Sequence, residues 1–284
     1  MKKVTLLAAL VLSTAAFSQK MKITELHISN GTGFGGQING SIDDFKALAP
    51  NSSILAMDFS QYNPQGFPTY QTPGMNMSSS YSLQLGLQCA KMPKVLYRVG
   101  ITHVSNAGVR SAFGSYFQSF PYDTLTSSQT GEQIFLDSTS TKYYNMNHSN
   151  QQIRLDGVMI FRMFPEKRWS IHTGLGASIG MSYQSNTEIS YWESYSVSSG
   201  SVSSGNYYYS QNVERESYKN KNSIGASLYI PFGVDFGIGK KREFWMPFHV
   251  YAETRPSLNI NSINGIGTSF SPGMSSAVGL RVKL

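Results

Sequence analysis

The chain has a single cysteine among 284 residues, only 14% charged side chains, and no apolar run approaching the roughly 20 residues a membrane helix needs. Each shortage excludes something. One thiol cannot form an intrachain disulfide or a multi-cysteine zinc site. The charge content falls well below the roughly 25% of an ordinary soluble domain. A mean hydropathy of −0.23 without long apolar blocks rules out a bundle of membrane helices. No His-Glu-x-x-His pattern, Asp/Asn-Gly calcium loop or phosphate-cradling glycine loop is present, so neither a metal nor a cofactor is expected.

What the chain does have is glycine (26), tyrosine (17) and phenylalanine (16) in quantity. Residues 1–18 read as a secretory leader: Lys2 and Lys3, an apolar stretch from Val4 to Ala16, then Ala16-Phe17-Ser18 before a cut ahead of Gln19. Its loss leaves 21 basic against 16 acidic residues, an excess too small to argue for nucleic acid. Residues 19–284 then form one domain.

That domain alternates. Between Tyr81 and Cys89 every second residue is apolar, and Ser82, Gln84, Gly86 and Gln88 lie between. The same period of two runs through 97–101, 153–161, 169–183, 226–238, 244–250 and 278–284, with a glycine-diluted first strand at 23–34. Soluble strands average 5–6 residues, whereas spanning strands need about 9–11, and several of these runs reach that length. Tight basic turns at 91–94, 165–168 and 239–242 alternate with long polar segments at 35–77, 112–149, 185–221 and 258–272. Together these features predict an all-β, eight-stranded, up-and-down antiparallel barrel in the outer membrane, with periplasmic turns, extracellular loops and both termini periplasmic. The chain resembles the small eight-stranded bacterial outer-membrane barrel proteins in this pattern.

Parity sends Arg98, Arg154, Asp156, Arg162, His172, Asp235, His249, Glu253, Arg255, Arg281 and Lys283 into the lumen. A charge facing lipid at mid-membrane would cost about 2–4 kcal/mol, and eight strands leave an interior just wide enough for side chains, so a plugged barrel is expected. Within the first long segment, Ser41 followed by Ile42–Ala49 and Pro50 predicts a short capped helix that packs Ile42, Phe45 and Leu48 on the barrel rim. The Tyr- and Ser-rich stretch at 191–209 has the composition of an adaptable binding surface or of a solvated loop.

One local motif, Ile101-Thr102-His103-Val104-Ser105-Asn106, puts His103 and Ser105 on lipid-facing parity at the outer end of a strand. It resembles the His-x-Ser-Asn motif of the outer-membrane lipid A deacylases, whose site lies on the barrel exterior. That resemblance implies Ser105 as nucleophile, His103 as its general base and Asn106 as an oxyanion donor. No acidic partner for the imidazole is identifiable, because Asp123, Glu132 and Asp137 fall in a long loop segment and Asp156 has lumenal parity. Read from the residues alone, the three polar side chains equally suit a strand's exit into the headgroup layer. Two functions follow: a non-catalytic structural or interaction barrel, contacting outer-membrane lipid and other outer-membrane proteins through its loops, or a serine esterase acting on lipid A.

Overall fold

A strand with alternating apolar and polar side chains satisfies both faces only in a sheet with two different surroundings, and only closure leaves no unpaired edge. The structure, a computed structural model, describes residues 21–36, 38–59, 75–89, 92, 94–199, 207–239 and 243–284. The leader at 1–18, residues 91, 93 and 240–242 of the basic turns, and the serine run at 200–206 lie outside the described residues. The strands are β1 (Met21–Gly36), β2 (Ile38–Asn39), β3 (Met75–Cys89), β4 (Val95–Thr126), β5 (Gln133–Met163) and β6 (Trp169–Ser199). They continue with β7 (Tyr207–Lys219), β8 (Ile224–Tyr229), β9 (Phe232–Gly237), β10 (Phe248–Ile263) and β11 (Gly267–Lys283).

Ten of these eleven segments fill eight positions of one closed antiparallel ring. β11 pairs with β1 and closes it; β7, β8 and β9 succeed one another along one position beside β6; β2 is a two-residue parallel contact on β4. The 226–238 run, one strand by its alternation, is divided because Pro231 has no N–H for the ladder. Following partners from Glu25 through Gly86, Arg98, Val158, Gly176, Tyr229, Ser257 and Gly273 returns to β1 at Gly35, a stagger of ten residues. Such a stagger makes the strands tilt and leaves a lumen filled by side chains.

The outward face is an apolar belt. Ile28, Leu83, Ile101, Leu155, Ile179, Leu228 and Val278 are all more than half exposed, an arrangement that is stable only against lipid. Phe164, Trp169 and Phe244 mark one edge of the belt, and Tyr81 and Tyr183 the other. The inward face is crowded: a Cβ at Gly100 would run into the Leu83 carbonyl and the Gln84 Cα of the next strand.

The segments at 112–149, 185–221 and 258–272 are mostly strand, which corrects their reading as loops. β4 and β5 continue as a paired ladder to Thr126 and Gln133, β6 and β7 pair from Asn186 to Val197, and β10 and β11 turn only at 264–266. Their composition hid this because no lipid covers the outer face beyond the belt, so polar residues replace the apolar alternation. The β4–β7 side therefore stands beyond the belt as a tall sheet. In the 35–77 segment, α1 (Ile42–Leu48) has the expected Ser41 cap, with Asp44 N–H donating to Ser41 Oγ at 3.1 Å and Ser41 N–H donating to Asp44 Oδ2 at 2.8 Å. A 3-10 turn follows at Ile54–Ala56.

Candidate functional site

His103 and Ser105 lie on β4 where the belt ends, both partly exposed and on one outer face. No hydrogen bond joins them among the described residues. His103 Nε2 lies 3.0 Å from Tyr183 Oη, whose hydroxyl donates to Gln151 Oε1, and the imidazole stacks on Tyr81 at 6.4 Å between ring centroids. Ser105 Oγ instead sits 2.5 Å from Ser79 Oγ on β3. The backbone of Asn106 belongs to β4, and its side chain lies outside what is described. The structure thus brings histidine and serine to the same face and gives each another partner.

The lumen holds a continuous ionic network. Glu253 accepts from Arg98 at 2.6 Å, from Arg255 Nε at 2.5 Å and from His172 Nε2 at 2.8 Å. Glu25 receives both guanidinium nitrogens of Arg162, at 2.7 and 3.0 Å, and Arg281 at 2.6 Å, with His27 at 3.0 Å. Asp235 joins Arg281 at 2.7 Å and His249 at 2.8 Å. Asp156 is held by Thr102, Tyr229 and Arg255. Ten of the eleven parity assignments therefore face the network; Lys283, at the turn end, is exposed. Glu25 and His27 were not among them, since the register shift between Ile23 and Glu25 and the many glycines obscure the phase of β1.

Above the network the inward parity continues while its polarity inverts. On β5, Arg154, Gln152, Asn150 and His148 give way to Met146 and Tyr144, all buried. On β6, Tyr183 and Gln184 both face outward at a register shift, after which Ser185, Thr187, Ile189 and Tyr191 point in. This apolar collar encloses Phe45 and Leu48 of α1 together with Ile54 and Leu55, Val109 and Ile263. The helix is thus not on the rim but inside the wall's extension, as a cap. Polar ties fix it: Glu216 of β7 accepts from Ser52, from the Ser53 N–H at 3.1 Å and from Tyr218 Oη at 3.0 Å. Burial opposes ionisation of Glu216, and the hydrogen bonds from Ser52, Ser53 and Tyr218 outweigh it, holding the carboxyl below its ordinary range.

Neither a family model nor a curated protein matches the chain. Among solved structures it is similar to Neisserial surface protein A, at 10% identity over 94% of this chain and 100% of that one, with a TM-score of 0.35. It is also similar to Ail, the attachment invasion locus protein of Yersinia pestis, solved with the heparin analogue sucrose octasulfate, at 10% identity, 93% and 100% coverage and a TM-score of 0.25. Likenesses this distant carry no functional argument; the barrel rests on its own closed ladder and apolar belt.

A second tie to the cap passes through His148. Its Nδ1 lies 2.9 Å from Thr187 Oγ1, that hydroxyl donates to Asn220 Oδ1 at 2.7 Å, and Asn220 Nδ2 donates to the Leu48 carbonyl at 2.6 Å. Burial pushes His148 down from 6.5 to about 4, more than the contact with Asn220 raises it. The folded pKa lies below the unfolded one, so this contribution is complete above pH 6.5 and is lost as pH falls toward 4. Protease cleavage within 41–56 is expected to accelerate between pH 6.5 and 4.5, and His148→Gln to flatten that dependence; an equal acceleration in both proteins would refute the role of His148.

The described residues contain no group of three or more His, Cys, Asp or Glu side chains placed to hold a metal. Cys89 is a free, partly exposed thiol. What the arrangement can do is hold a rigid wall in lipid, block its own lumen and present a sheet beyond it.

Proposed function

We propose that the protein is an integral outer-membrane barrel with a non-catalytic interaction role, acting as an accessory subunit that engages other outer-membrane proteins through the β4–β7 sheet. The observation that carries this reading is the combination of a lumen filled by charge pairs and capped by α1 with a sheet taller than the wall requires. A blocked lumen is of no use for diffusion, and the surplus structure lies on one side. β7 pairs with β6 and, among the described residues, with no second strand, which leaves its outer edge available for backbone pairing. The long segments face the exterior in this reading and both termini face the periplasm, consistent with export through a cleaved leader.

Gentle detergent extraction with affinity capture tests it. The full chain is expected to bring down a stoichiometric outer-membrane partner, and a variant whose β4–β5 hairpin is shortened beyond Asn147 is expected to lose it while keeping its heat-shifted gel migration. A monodisperse lone monomer from both would overturn the proposal.

The second reading, a lipid A acyl hydrolase using Ser105 with His103, is favoured by their shared exterior face at the edge of the belt. Activity would require His103 to turn from Tyr183 toward Ser105. Mass spectrometry of lipid A from cells with and without the protein decides: loss of an acyl chain that disappears in Ser105→Ala supports it, and an unchanged acyl pattern sinks it.

A further inference from the structure

Five arginines face the lumen against four carboxylates, and the surplus has an address. Arg98, Arg162, Arg255 and Arg281 each pair with Glu25, Asp156, Asp235 or Glu253. Arg154 is buried, at 7% exposure, and among the described residues has no carboxylate within ion-pair distance; there its Nε donates to Gln152 Oε1 at 2.8 Å. The nearest acid by sequence, Asp156, is already engaged by Thr102, Tyr229 and Arg255.

Arg154 borders a lumenal cavity of about 140 Å³. Arg255 shares that lining, and its Nη2 is buried with no hydrogen-bond partner. Ser178, Ser227 and Ser257 add hydroxyls, which can turn their hydrogens inward. A water occupies about 30 Å³ of liquid, so the space accommodates a tetrahedral oxyanion with some solvent. A buried guanidinium without a carboxylate is unfavourable, whereas an anion there would meet two forked donors and several hydroxyls.

We propose that this cavity is a small-anion site, in which an inorganic oxyanion of sulfate or phosphate size supplies the counter-charge that the chain itself withholds from Arg154. The barrel wall separates the cavity from lipid, so the ligand comes from the aqueous phase and not from a phospholipid headgroup. The asymmetry has chemical sense: a fifth carboxylate would have closed the network, while a cavity ringed by hydroxyls leaves the place open for an exchangeable charge. Asp156 at the same lining sets the limit, since it disfavours a second anion.

The test uses the purified full chain in detergent. Its unfolding midpoint is followed by tryptophan fluorescence as sulfate replaces gluconate, a bulkier anion of single charge, at constant ionic strength. Binding predicts a rise of about 3 °C or more at saturating sulfate, abolished in Arg154→Gln and reduced but present in Arg154→Lys. No rise in the unsubstituted protein, or an equal rise in Arg154→Gln, would overturn the site. Should Arg154→Gln fail to fold, crystals of the unsubstituted protein soaked in selenate decide: an anomalous peak within hydrogen-bond reach of Arg154 and Arg255 supports the site, and its absence from a well-ordered lumen ends it.

Discussion

Glu253→Ala is expected to lower the stability of the barrel by about 3–5 kcal/mol, the cost of removing one member of a buried charge group. Glu253 is fully enclosed and accepts from Arg98, Arg255 and His172. Truncation leaves the buried Arg98 guanidinium without its carboxylate and Arg255 with Asp156, 3.6 Å away, as its remaining partner. The surface pair Lys142–Glu193 provides the contrast: its atoms are 3.5 Å apart, the lysine is 37% exposed, and such pairs contribute about 0–1 kcal/mol. In urea unfolding, or in the temperature at which the gel band shifts on heating, Glu253→Ala should therefore fall far below the parent and Lys142→Ala should stay beside it. Equal shifts for the two variants would refute the claim that the lumenal network supports the wall.

Phe45→Ala is expected to undock the cap and leave the wall standing. Phe45 is completely buried, against a collar that includes Val109, Tyr144, Met146 and Ile189. Removing such a ring from a packed site costs about 3–5 kcal/mol. That loss falls on a unit of one seven-residue helix and a 3-10 turn, which the smaller Leu48, Ile54 and Leu55 side chains and the Glu216 and Asn220 contacts must then retain. An isolated helix of that length is not stable in water, so α1 itself should melt. Hydrogen exchange within 41–56 should accelerate by orders of magnitude, while the heat-shifted gel migration of the barrel stays unchanged. Unchanged protection of 41–56, or a collapse as deep as that of Glu253→Ala, would show that cap and wall are not separable in this way.

The two expectations concern different parts of one inward face, and they differ in how legible they were. Within the belt, lipid demands apolar side chains outside and leaves polarity to the inside, so a period of two exposes both faces: Leu85 out and Gln84 in, Leu155 out and Arg154 in. The helix cap at Ser41 and Asp44 was equally plain, because it depends on two residues three positions apart and a proline stop. Beyond the belt the rule fails for a physical reason. Water replaces lipid outside and the cap replaces water inside, so Tyr144, Met146, Ile189 and Tyr191 turn inward among serines and asparagines, and their strands read as loops. The His103 and Ser105 placement shows a third degree: their common face follows from spacing, whereas the partners they take, Tyr183 and Ser79, come from neighbouring strands.

By itself the sequence determined the sheet, its two faces, the eight-position ring and the charges that must avoid lipid, because all of these follow from local periodicity and the cost of exposing a charge to hydrocarbon. Only the tertiary structure decided which acid meets which arginine, that Glu25 and His27 join them, that α1 sits within the wall, and that Arg154 is left without a carboxylate. Those facts depend on the ten-residue stagger and on register shifts between strands far apart in the chain. A stagger is a property of the closed ring, and no single strand carries it.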